Sequence, residues 1–243
     1  MASSVEPVEI DRFARLAATW WDADGPFKPL HRLGPARLGY IRDQLARHYR
    51  RDTKDLAALA GLRILDMGCG GGLIAEPLAR LGAQVTGADA AAENIAVARA
   101  HAAQMDLDIA YRHATVEQLA SEGARFDAVL ILEIVEHVAD IGLFLGCCRR
   151  LLARDGLLVF STLNRTARSF LAAIIGAEYV LRWLPRGTHD WRKFVTPREM
   201  HRHLDRAGFA ISDMHGLTFQ PLAGTWRLTS DLGVNYIGSA TAQ

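Results

Sequence analysis

Asp66, Gly68, Gly70 and Gly72 stand at alternate positions in the run Leu65-Asp66-Met67-Gly68-Cys69-Gly70-Gly71-Gly72-Leu73. An apolar stretch precedes this run and a helical pattern follows it, so it reads as a strand end, a glycine turn and a helix start. Glycines let the turn take positive φ and let a ligand approach the backbone with no Cβ between them. The helix N-terminus behind them favours a carboxylate or a phosphate. A dinucleotide fingerprint counted from Gly68 and Gly70 would need its third glycine where Leu73 stands, with Gly72 one place early. Asp66 would also repel a pyrophosphate, whereas it could anchor the loop backbone or face a ligand's ammonium group. Asp89 follows 23 residues later, at the end of a second strand, where a carboxylate can accept both hydroxyls of a ribose. Either acid alone reads equally well as a strand-end cap; together with the loop they suit a cationic, adenosine-containing ligand.

A second constellation, Glu133-Ile134-Val135-Glu136-His137, brings two carboxylates and an imidazole to the same sheet edge. One reading is a divalent-ion site, with hard oxygen donors suited to Mg²⁺. In another, His137 acts as a general base without metal. In the third, the glutamates cap a helix and His137 is a satisfied, partly buried histidine. His31 and His189 read as structural hydrogen-bonding residues.

Elements to position these residues are legible around them. From about Gly61, short apolar runs alternate with helical patterns, the mark of a parallel sheet wrapped by helices. Strands are expected at 63–67, 84–89, 109–111, 126–132 and 157–162, with a helix near 93–105. Thr196-Pro197-Arg198-Glu199 is a capping box for a later helix that Gly208 stops. Residues 209–217 and 233–237 are expected to form an antiparallel closing hairpin around a loop containing Pro221 and Gly224. Residues 1–60 read as a tail and helical cover, Met1 to Asp11 being flexible, and 61–243 as the core. Trp20 and Trp21 read as packing residues that staple the cover to the core.

Composition excludes several function classes. The chain has 243 residues, half of them hydrophobic, and its 28 Lys+Arg nearly cancel 27 Asp+Glu for a net charge of +1. No nucleic-acid partner is expected from that balance. Cys69, Cys147 and Cys148 give no framework of disulfides or zinc ligands. With no secretory pattern and no long apolar run, a cytoplasmic protein is expected, any membrane contact being peripheral.

Asp66 to Gly72 matches the acid-x-Gly-x-Gly-x-Gly motif of the class I S-adenosylmethionine-dependent methyltransferases, and Phe126-Asp127-Ala128-Val129-Leu130 resembles their fourth strand. The flanks are more specific. Thr19-Trp20-Trp21-Asp22, Phe27 to Arg32, Pro35 to Ile41, Ser161 to Arg165, Gly176-Ala177-Glu178-Tyr179, Gly187-Thr188-His189-Asp190 and Val234-Asn235-Tyr236 resemble the ubiquinone-biosynthesis O-methyltransferases over nearly residues 10–240. The resemblance implies an α/β, Rossmann-like fold. Its seven-stranded, mostly parallel sheet would have an antiparallel last strand, an N-terminal helical cover and an amphipathic insertion after the fifth strand. It implies methyl transfer from S-adenosyl-L-methionine to phenolic oxygens of polyprenyl dihydroxybenzene and 3-demethylubiquinol intermediates. Family cofactor contacts fall on Arg37, Gly68, Asp89 and Leu132, to which the loop adds Asp66 and Gly70; Leu132 stands where the family commonly has Met. His137 and Glu133 become the candidate catalytic residues. Glu133, Glu136 and His137 match a feature of the eukaryotic members that depend on a divalent ion such as Mg²⁺.

The insertion, 164–193, mixes apolar residues with six basic residues against two acids. Such a segment suits an anionic membrane surface, where a polyprenyl phenol or quinol substrate keeps its tail in lipid. An ordinary lid helix is the alternative. Other ubiquinone-biosynthesis proteins are further expected partners.

Overall fold

The computed structural model describes residues 3–170, 190–220 and 223–243. The expectations for Gly176 to Tyr179, Gly187 to His189, Arg182 and Arg186 lie outside them. Helices α1 (Pro7–Leu16) and α2 (Lys28–His48) precede β1 (Arg63–Met67), α3 (Ala75–Arg80), β2 (Gln84–Asp89), α4 (Ala92–Gln104), β3 (Ala110–His113) and α5 (Val116–Ser121). After these come β4 (Phe126–Leu132), α6 (Ile141–Leu151), β5 (Leu152–Leu163), the single turn α7 (Ala167–Ser169), α8 (Pro197–Arg206), β6 (Phe209–Gln220), β7 (Thr225–Thr229) and β8 (Asn235–Ala242).

One eight-stranded sheet runs in the order β3-β2-β1-β4-β5-β8-β6-β7. The first five strands pair in parallel, and β8 enters antiparallel between β5 and β6. The central strands are apolar on both faces because helices cover both. Leu65, Val129, Ile131, Leu158 and Phe160 join the core beneath α5, α6 and α8. Their strand neighbours Ile64, Ala128, Leu130, Leu157 and Val159 join the core beneath α2, α3 and α4. The pleat divides the two sets. Parallel pairing brings the carboxyl ends of β1, β2, β4 and β5 to one edge, where the chemical residues stand.

Two expectations are corrected. The closing hairpin pairs β6 with β8 as anticipated, Gly216 opposite Tyr236, but the intervening segment is more than a loop. Its Thr225-Trp226-Arg227-Leu228-Thr229 forms β7 on β6, an eighth strand. As a largely exposed edge strand it lacks the apolar density of a core strand, although its polar and apolar residues alternate.

The segment from Ser4 to Asp11 is the second correction, since it is anchored rather than a flexible tail. Ser4 N–H donates to Glu117 Oε1 at 2.6 Å, Val5 bridges Val138, and Pro7 opens α1. Ile10, Phe13 and Leu16 of α1 then line the main cavity. The Thr196 capping box forms as expected, and Gly208 follows the helix at φ +78°.

Phe160 is fully buried and packs edge-on to Tyr236 at 6.5 Å. Phe160→Ala should therefore destabilise the chain by about 3–5 kcal/mol in urea unfolding. A loss below about 1 kcal/mol would show that the β5–β8 junction is not the packed centre described.

Candidate active site

β1 delivers Asp66 to the sheet edge and the glycine turn follows. Gly68 and Gly70 have φ +74° and +53°. A Cβ on Gly68 would lie 2.5 Å from Ile134 Cδ1, and one on Gly70 would lie 2.3 Å from Trp20 Cζ2, so both positions require glycine. The backbone N–H groups of Gly68 and Cys69 donate to Ala88 O at 2.7 and 3.1 Å, tying the turn to β2. Asp89 accepts from Gly70 N–H at 3.0 Å, Ala91 N–H at 2.8 Å and Asn94 Nδ2 at 3.1 Å. A carboxylate has about four lone-pair sites, so capacity remains for a ligand hydroxyl. Burial raises the Asp89 carboxyl. Asp66 is 3% exposed and pushed up to about 7, by burial first and then by the charge of Asp89.

The cover closes over this turn. Trp20 stacks on Phe27 at 3.7 Å and donates from Nε1 to Asn94 Oδ1 at 2.8 Å. Trp21 stacks on His101 at 3.5 Å and donates to Gly71 O at 3.0 Å. Both pack as expected, and Trp20 also lines the cavity. His31 Nε2 sits 2.8 Å from Trp20 O, a structural partner, while His189 lies outside the described residues. All three cysteines are buried, and burial pushes the Cys69 and Cys148 thiols up.

Across the cavity, Glu133 takes φ +53° immediately after β4. Its Oε1 accepts from Ser161 Oγ at 3.0 Å and lies 2.8 Å from Arg37 Nη2. Arg37 occupies the buried stripe of α2 between Leu33 and Tyr40, where the helical period alone calls for an apolar residue. It is 4% exposed, and while Nη2 faces Glu133, its Nε has no partner, leaving a donor available in the cavity wall. Glu136 is 3% exposed and accepts from Thr162 Oγ1 at 2.8 Å through Oε2, while Oε1 has no hydrogen-bond partner. Burial and the charge of Glu133 push Glu136 up to about 8. Leu132, the last residue of β4, lines the same cavity.

The imidazole of His137 has its Nδ1 3.1 Å from Glu9 Oε2, with Phe13 edge-on at 5.2 Å. The hydrogen bond from His137 holds the Glu9 carboxyl down to about 2, and the charges of His137, Arg12 and Lys193 add to it. Sequence reasoning missed Glu9 because the segment around it was read as a tail. The spacing of Ile10, Phe13 and Leu16 was the available signal of an amphipathic helix.

These partners bear on the expected metal centre. Glu133, Glu136 and His137 are not gathered into a group able to hold an ion, and the described residues contain no other such group. Glu133 is committed to Arg37 and Ser161, Glu136 to Thr162, and His137 to Glu9 from another helix. The expected cofactor residues Arg37, Asp66, Gly68, Gly70, Asp89 and Leu132 do share a wall, that of a cavity of about 350 Å³ with a largely apolar lining. In the insertion, Arg165 pairs with Glu199, Arg168 with Asp231 at 2.8 Å and Lys193 with Glu6, so its basic residues are less free than their count suggests.

Residues 65–160 match the family model described as a methyltransferase domain. The ubiquinone biosynthesis O-methyltransferase of Azorhizobium caulinodans is 52% identical over 96% of this chain and 92% of its own length. That of Roseobacter denitrificans is 54% identical over 97% and 95%. The chain belongs to the ubiquinone biosynthesis O-methyltransferase family. Likeness to solved structures extends to the fold. Magnesium protoporphyrin IX methyltransferase (ChlM) from Synechocystis PCC 6803, with bound SAH, has a TM-score of 0.56 at 20% identity, covering 86% of this chain and 85% of that one. An S-adenosylmethionine-dependent methyltransferase from Clostridium acetobutylicum ATCC 824 has a TM-score of 0.57 at 12% identity, covering 85% and 98%. The antiparallel β8 beside β5 completes the class I, Rossmann-like sheet expected of the family.

Because the native state holds the Asp66 proton up to about pH 7 while an unfolded aspartate releases it near 3.8, folding binds a proton between those values. Stability from this residue is thus present at low pH and lost as pH rises through 7. Asp66→Asn should match the parent near pH 4 and exceed it at pH 8 in urea unfolding. A difference independent of pH would contradict the buried-acid assignment.

Proposed function

We propose that the chain transfers a methyl group from S-adenosylmethionine to phenolic oxygens of polyprenyl dihydroxybenzene and 3-demethylubiquinol intermediates in ubiquinone biosynthesis. Near-full-length identity with the family's members carries this reading, and the cradle supports it. When bound, S-adenosylmethionine supplies an electrophilic methyl group on a sulfonium centre. The chain's residues fit such a cation: Asp89 suits a ribose hydroxyl, the Gly68–Gly70 turn admits a close approach, and Leu132 offers an apolar wall. Arg37, with its Nε unpartnered, suits the carboxylate of the methionine moiety, and Asp66 lies where it can face the ammonium or steady the turn.

A phenol titrates near 10, so the enzyme must help remove its proton. His137 fits this task. With Nδ1 held toward Glu9, Nε2 is the nitrogen left to take the phenolic proton. Glu133 is better suited to hold Arg37, whose Nη2 lies 2.8 Å from its Oε1. Holding the oxygen nucleophile close and aligned is worth roughly 7–11 kcal/mol. The apolar lining from α1 and α2 accommodates the aromatic ring and the first part of the tail.

The rest of the tail suits a membrane. No described helix is long and apolar enough to cross one, so the proposed association is peripheral, at an anionic surface through the insertion.

His137→Ala should lower kcat by about 10²- to 10⁴-fold with S-adenosylhomocysteine affinity retained. Unchanged kcat would remove His137 from the chemistry. With a short-chain demethylubiquinol, mass spectrometry should find a gain of one methyl alongside released S-adenosylhomocysteine. Tight cofactor binding without turnover on either phenolic substrate would overturn the substrate assignment.

A further inference from the structure

Beside the main cavity lies a second concavity of about 450 Å³, sharing Glu6, Glu136 and Val138 with it. Its walls come from the 191–193 turn, α8 and the segment after β4. The acids that line it each have a partner, although Glu136 keeps one oxygen unpartnered. Glu6 pairs with Lys193, Glu199 pairs with Arg165 and accepts from Thr196, and buried Glu136 accepts from Thr162. Arg192, Arg202 and Arg206 line the same space, with His203 beside them, and none of the three arginines has an ion-pair partner among the described residues.

Exposed arginines are ordinarily a solvated face, but these three line one concavity from two separate elements. Arg202 and Arg206 are four apart on α8, where like charges repel. The helix dipole favours His203 and Arg206 in the last turn. It gives no reason for Arg192, from a separate element, to meet them.

We propose that this concavity binds a phosphate group, borne by a soluble phosphorylated molecule or by a phospholipid headgroup. Guanidinium forks present paired donors that match phosphate oxygens, and guanidinium is more weakly hydrated than ammonium. The position has a consequence for the neighbouring site. Lys193, in the same wall, pairs with Glu6 and lies 3.5 Å from Glu9. A bound phosphate thus competes for the cation that tethers α1 over the main cavity. The site stands independently of the methyl-transfer reading.

The test compares the full chain with Arg202→Glu/Arg206→Glu and, as a second variant, Arg192→Glu, each checked by circular dichroism for an unchanged melting transition. Calorimetry with inorganic phosphate, against chloride at equal ionic strength, should show binding that the variants weaken at least tenfold. Sedimentation with phosphatidylglycerol or phosphatidylcholine vesicles separates the sources. Association with phosphatidylglycerol alone, weakened by the substitutions and displaced by phosphate, identifies the headgroup. Phosphate binding without vesicle association identifies a soluble ligand. Neither kind of binding, or binding that the folded variants retain in full, overturns the proposal.

Discussion

Negative charge gathered at one buried edge of the sheet is the constraint on which the rest of this structure depends. Asp66 and Glu136 are almost wholly buried, with Asp89 and Glu133 half-buried beside the same cavity. Arg37 is the only buried Lys or Arg among the described residues. Burying an uncompensated carboxylate is expensive, and the group keeps its proton instead when no cation is at hand. The upward shifts of Asp66, Asp89 and Glu136 are that response. An edge that is short of positive charge when empty is suited to a ligand that brings it, such as a sulfonium with an ammonium group.

Much of the remaining architecture keeps this edge assembled and covered. Parallel strands put their carboxyl ends together, and the glycine turn brings the backbone close to Asp89 and Trp20 with no side chain between them. The N-terminal segment adds what the sheet lacks. Trp20 sits on the turn, Phe13 flanks the imidazole, and Glu9 orients His137 from a distance of 128 residues in sequence. A cover that supplies part of the site can couple access to the cavity with the orientation of the base.

The strands and the glycine turn were legible in the sequence because their signals are local: apolar runs, a glycine spacing, and an acid at each strand end. The Thr196 capping box was legible for the same reason. Arg37 was reached through family resemblance, since no local pattern marks an arginine on a helix's apolar face. Glu9 was missed because its role exists only once α1 packs against the segment after β4. The expected metal centre likewise depends on arrangement in space. Glu133, Glu136 and His137 are close in sequence, but the left-handed turn at Glu133 and partners on α1, α2 and β5 draw their side chains apart in function. β7, an exposed edge strand, carried only weak alternation.

A cationic ligand restores charge to acids held protonated by burial. Calorimetry of S-adenosylmethionine binding at pH 7, repeated in buffers of different ionisation enthalpy, tests it most directly. Binding should release protons, because the arriving positive charge lowers the affinity of Asp66 and Glu136 for theirs. Tight binding with no net proton exchange, or with proton uptake, would contradict the account.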